Sequence, residues 1–161
     1  MVHGRLVCER QKRGPCVGPT KRGKGSKIMA VCDGNSLPVA VTVASASPAE
    51  VKLAEATLKE RIIPNLPAVM VADRAYDSNP FRNFLVECGI EPVIPARRTS
   101  YHATHQDGRR LRRYRHRWKA ERLNAWFQND RRLVTRYERK PENFLGFVHL
   151  SCIKILLRNH F

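Results

Sequence analysis

At 161 residues the chain is long enough for one domain with a real core. Its 30 Lys and Arg against 14 Asp and Glu leave a formal charge of +16, which opposes self-association and favours a polyanion, with nucleic acid the default partner. No run approaches the ~18 apolar residues of a membrane span, and no apolar signal core follows Met1. The expectation is therefore a cytoplasmic protein with no membrane partner. The five cysteines (Cys8, Cys16, Cys32, Cys88 and Cys152) are odd in number and form no C-x-x-C pair. That argues against a disulfide framework or a structural zinc site.

Residues 1–26 are poor in apolar pattern and rich in Gly, Lys and Arg, and they read as a basic, loop-rich stub. Gly18 to Gly25 (GPTKRGKG) nearly spells a phosphate-binding P-loop. Gly25 stands where Ser or Thr is needed, and an apolar run follows instead of a helix. A basic loop suited to DNA phosphates, with Lys21, Arg22 and Lys24, fits better. Lys27–Cys32 and Leu37–Val43 are β-like runs around the turn formers Asp33-Gly34-Asn35-Ser36, which predicts a hairpin. Ser47, Pro48 and Glu50 have capping-box spacing and predict a helix to about Arg61. Ala68–Ala72 reads as a strand buried on both faces that ends at Asp73. An acid there points into the crevice where ligands bind in open sheets; a capping role in its own turn is the alternative. Asp77 or Ser78 suits the cap of the next helix, which runs to about Cys88. Glu91–Ile94 is a short strand.

Residues 96–110 are polar, with Arg97, Arg98 and His102, and read as a loop; His102, His105 and Asp107 lack a fourth ligand for a metal. Tyr114–Gln128 (YRHRWKAERLNAWFQ) has no Gly or Pro and predicts a helix. At ~100° per residue, Tyr114, Arg117, Glu121 and Gln128 share one stripe, opposite the bulky Trp118, Leu123, Trp126 and Phe127. Taken alone, Glu121 could simply pair with Arg117 at i,i+4. A last helix opens at Pro141-Glu142 and carries an apolar covering face through Phe144, Val148 and Leu156.

The spacing Tyr114, Arg117, Glu121 resembles the Y-R-E-K signature of bacterial insertion-sequence DDE transposases of the insertion-sequence four and five groups. Its last member, Lys, is here Gln128. Asp73-Arg74-Ala75-Tyr76-Asp77-Ser78 resembles the segment that carries the second catalytic Asp in the same families, and KRGKGSKIMAV, SASPAEV and YERKPENFLGFVHL also look like them. The resemblance covers about residues 20–158. It implies an α/β, ribonuclease-H-like mixed sheet flanked by helices. The first strand of that sheet is expected to be missing or reduced, with Arg5–Cys8 the only nearby run that could stand in for it. The division implied is a stub (1–26) and a truncated catalytic domain (27–161).

By resemblance, Asp73 and Glu121 are the catalytic metal ligands, while Tyr114 and Arg117 orient phosphate or the Glu121 helix. Phosphodiester cleavage suits two Mg²⁺ (or Mn²⁺) ions at ~3.5–4 Å, held by convergent carboxylates. A third acid should stand in an Asp-Gly-Ser/Thr triplet before the basic loop. On a loose alignment His3, in Val2-His3-Gly4-Arg5, holds that place, unless the Asp was lost with an upstream segment. A neutral imidazole is a poor Mg²⁺ ligand, so the implied two-ion site is incomplete. The expected partners are duplex DNA at insertion-sequence ends and, as oligomer or hetero-oligomer, a full-length transposase. A non-catalytic DNA-binding remnant or inhibitor is the alternative to a working transposase.

Overall fold

A computed structural model describes residues 1–9, 14–20, 23–97 and 112–160. Six strands form one sheet: β1 (Val2–Glu9), β2 (Gly18–Thr20), β3 (Gly23–Cys32), β4 (Pro38–Ser45), β5 (Val69–Val71) and β6 (Glu91–Val93). Their order is β2-β3-β1-β5-β6, with β4 also paired to β3. β1 runs antiparallel to β3 along its whole length, from Val2 opposite Cys32 to Glu9 opposite Gly25. It is parallel to β5 at Val2–Val71, and β5 is parallel to β6. This is the mixed sheet flanked by helices that the sequence predicts, with α1 (Glu50–Lys59), α2 (Asn79–Glu87), α3 (Trp118–Gln128), α4 (Arg131–Val134) and α5 (Pro141–His160) around it.

The first strand is a correction. Expected missing or reduced, it is eight residues long and lies between the hairpin and β5. Residues 2–9 and 18–20 therefore belong to the sheet and not to a loop-rich stub. The pattern is weak because Gly4 and Arg5 interrupt it. Pairing to β3 on one side supplies what periodicity does not. Its alternation is clean in three dimensions: Val2 and Cys8 are buried in the cluster with Ala120, Leu123, Phe127, Phe144 and Val148. His3 faces the other way and lies against Tyr76, a member of the second cluster with Met29, Ala54, Leu58, Met70 and Phe81. The sheet thus separates two cores, one under α3 and α5 and one under α1 and α2.

Local chemistry sets several boundaries. Asp33 Oδ1 accepts from the amides of Asn35 (2.7 Å) and Leu37 (2.8 Å), which closes the β3–β4 turn. Ser78 Oγ accepts from the Phe81 amide at the start of α2. The capping box is not formed. Helix α1 starts at Glu50, and its cap, Ala49, offers no side-chain acceptor. The Glu50 carboxylate instead takes Lys27 Nζ at 2.9 Å and Arg5, because Lys27 is buried and needs a counter-charge. Arg136, 1% exposed, donates to Ser26 Oγ (2.6 Å) and the carbonyls of Pro15, Cys16, Glu138 and Arg139. It ties the segment before β2 to the loop between α4 and α5.

Helix α3 lies directly on β1. A Cβ at Gly4 would meet Ala120 Cβ at 2.9 Å and Asn124 Nδ2 at 3.1 Å. Asn124 Nδ2 donates to the Arg5 carbonyl at 2.9 Å, so the helix is pinned to strand backbone. We expect Gly4→Val to lower the unfolding free energy by about 1–3 kcal/mol, the usual cost of overpacking, measured by urea denaturation. Unchanged stability would mean that α3 does not rest on Gly4.

Candidate metal and DNA site

The candidate residues come from three elements at one end of β1 and β5. Val2 pairs with Val71; one step further along both strands are His3 and Ala72, and Asp73 follows. Asp73 is the cap of a short 3-10 turn over Arg74–Tyr76, and its Oδ1 accepts from the Ala75 amide at 2.7 Å. Glu121 lies in the first turn of α3. Its side chain is 60% exposed, and Arg117 Nη2 is 3.0 Å from its Oε1. Arg117 Nη1 donates to the Tyr114 hydroxyl at 3.1 Å. The Arg117 pKa is raised, first by that hydroxyl and then by Glu121 and Asp73. Arg117 is thus the group that feels both carboxylates. Both bland roles are present: Asp73 caps its own turn, and Glu121 pairs at i,i+4. Neither role uses up a carboxylate, since each leaves oxygen lone pairs for another partner. Tyr114 to Arg117 lie in a 3-10 turn (Arg112–Arg117) that leads into α3, and the α-helix itself begins at Trp118.

Position 3 has different chemistry. His3 is 4% exposed, and neither ring nitrogen has a hydrogen-bond partner among the described residues. Its ring centroid is 4.6 Å from that of Tyr76, whose buried hydroxyl is also without a partner. Burial pushes the His3 pKa down to about 4, against a smaller opposing effect from Glu50; burial pushes the Tyr76 phenol up. His3 is therefore neutral at neutral pH. Among the described residues no group of three or more His, Cys, Asp or Glu is placed to hold a metal ion. The neutral imidazole of His3 would bring no negative charge to a divalent ion.

Of the other sequence candidates, Lys21, Arg22, Arg98, His102, His105 and Asp107 lie outside the described residues. Lys24 is exposed on β3. Arg97 donates to the carbonyls of Arg74 (3.2 Å) and Ala75 (2.7 Å), so its guanidinium braces the turn that Asp73 caps. Asp77 accepts from Arg82 and from the Arg97 amide, as suits a structural acid. Two positioning groups were not legible in the sequence. Lys119 donates to the Gly34 carbonyl, and Arg122 donates to Ser36 Oγ (2.9 Å) and the Asn35 carbonyl. They anchor the Glu121 helix to the β3–β4 turn, a contact 85 or more residues apart in sequence that local pattern does not reveal.

This site lies in a protein of the DDE transposase class. The family model described as Transposase DDE domain matches residues 6–157, and the chain belongs to that family. A Burkholderia cepacia protein assigned as the transposase for insertion sequence element IS402 is 37% identical over 156 residues, which cover 91% of this chain and 69% of that protein. Among solved structures, the piggyBac transposase in a synaptic complex with hairpin DNA aligns with a TM-score of 0.48 and 13% identity, over 66% of this chain and 26% of that one. No helix among the described residues is long and apolar enough to cross a membrane.

The His3 environment sets a pH dependence. The unfolded chain binds a proton at His3 below about pH 6.5, while the folded chain does not until about pH 4. The unfolded state holds more protons in that window, so stability falls as pH falls through it, by up to about 3 kcal/mol. His3→Leu should remove this part of the slope, read from urea unfolding between pH 7 and pH 4. Parallel curves for the two chains would place His3 in water.

Proposed function

We propose that this chain is a DNA-holding transposase domain that cleaves strands poorly, because its divalent-metal site lacks the first acid. The observation that carries this is the neutral, buried His3 on the strand beside Asp73. Asp73 and Glu121 are the assigned metal ligands. Two carboxylates would hold Mg²⁺ or Mn²⁺ weakly and leave one of two ions unsupported. Tyr114 and Arg117, together with Lys24, Lys21, Arg22 and Arg98, are assigned to phosphate contacts, and the charge of +16 supports them. Arg97 joins this group only through the turn it braces. The partner is duplex DNA at insertion-sequence ends, and the place of action is the cytoplasm. A chain that holds such ends without cutting would compete with an intact transposase, alone or within its complex, and co-expression would lower transposition by the intact enzyme.

The presence of β1 changes what repair requires. With the strand in place, His3→Asp alone should bring a third carboxylate to the site and give the Tyr76 hydroxyl an acceptor. We expect Mn²⁺ to bind weakly to the parent chain, more weakly to Asp73→Ala and Glu121→Ala, and more tightly to His3→Asp, by calorimetric titration. Equal affinity in all four chains would overturn the ligand assignment, and robust Mg²⁺-dependent nicking by the parent chain would overturn the impairment. Duplex binding should weaken steeply with salt; a flat response would remove the phosphate assignment.

A further inference from the structure

The C-terminal ends of α3 and α5 enclose a groove of about 420 Å³ lined by Trp126, Asn129, Lys154, Arg158 and Asn159. Its size is within the range of sites that hold small organic groups, about 300–1,000 Å³. Trp126 is five residues beyond Glu121, about 140° further round the helix, so the groove faces away from the Asp73 and Glu121 corner. We propose that it is a second DNA contact, which takes one phosphate and the adjoining base of a strand. This rests on the reading of the chain as a DNA-holding domain.

The donor set carries the assignment. Lys154 is held by Asp130, so part of its charge is already answered. Arg158 is exposed and has no side-chain partner among the described residues, which leaves a planar guanidinium for a phosphodiester. Asn159 Nδ2 donates to the Ile155 carbonyl at 2.8 Å, and its carbonyl oxygen stays available. The Asn129 amide side chain is exposed and adds a donor and an acceptor for a base edge. Trp126 is half-buried, with the Arg122 guanidinium 5.1 Å from its ring centre, so the indole is held in place before any ligand arrives. A cation, a fixed aromatic surface and two amides together match a nucleic-acid strand. An acidic peptide would engage the cations and leave the indole and amides without a role.

The chain has two tryptophans, so Trp118→Phe leaves Trp126 as the only indole reporter. In that background a short single-stranded oligonucleotide and a duplex are titrated at several salt concentrations. The expected result is a saturable change in Trp126 emission. Arg158→Ala should weaken binding and reduce the salt slope by about one, while Asn129→Ala weakens binding at unchanged slope. Full-strength DNA binding with no emission change, or an Arg158→Ala chain with parental affinity and slope, would overturn the groove assignment alone. An equal emission change with polyglutamate would overturn it in favour of an acidic peptide. A parent chain that binds no DNA at low salt would sink the DNA-holding reading as well, so the two failures are distinct.

Discussion

Gly4 allows a helix to lie on strand backbone, and the geometry of the candidate site follows from that contact. Without a Cβ at this position, Ala120 and Asn124 approach β1 closely, and Asn124 takes the Arg5 carbonyl. The helix that carries Glu121 is thereby fixed to the strand that carries His3. A second anchor, from Lys119 and Arg122 to the β3–β4 turn, limits rotation about the first. Glu121 is then exposed on the outer side of a helix whose Ala120, Leu123 and Phe127 are buried. A carboxylate held in this way can meet a ligand without reorganising the core, because the packing residues and the functional residue occupy different faces.

The corner beside Asp73 carries a polar defect. Two neighbouring buried side chains, His3 and Tyr76, have polar atoms without partners among the described residues, and each such group carries a desolvation cost of about 1–3 kcal/mol. Nearby charge is already committed: burial alone would raise the Glu50 carboxyl, but Lys27 and Arg5 outweigh it and hold its pKa low. The Asn124 side-chain carbonyl, on the helix that packs against the same strand, also lacks a partner among the described residues.

The positive charge is not all directed outward. Arg136 is buried among carbonyls and over Phe144, Arg82 and Arg97 brace the acidic turn, and Arg122 is enclosed by Trp118, Trp126 and the hairpin turn. Guanidinium groups suit such work because their planar fork satisfies several carbonyls at once. The charge available to phosphates is therefore smaller than the formal +16. Exposed cations remain on the turn before α3, on α4 and toward the end of α5.

The hairpin, the buried strand ending at Asp73, a cap at Asp77 or Ser78 and the onset of the last helix were legible in the chain, because each rests on local periodicity or turn chemistry; the α-helix expected from Tyr114 begins only at Trp118, after a 3-10 turn. The resemblance in ADRAYDS and in the Tyr114–Glu121 spacing identified the family for the same reason: short motifs keep their residue order. The tertiary structure decided three things. β1 is a full strand because β3 and β5 pair with it, although Gly4 and Arg5 weaken its own pattern. Glu50 serves Lys27 and Arg5 instead of a capping box, because a buried ammonium 23 residues away is a stronger partner than a backbone amide. Arg97 braces a turn instead of standing free, since the carbonyls it reaches are 22 and 23 residues back in sequence. Each of these depends on contacts between distant segments, and neither composition nor spacing encodes a contact whose two halves meet only once the sheet has formed.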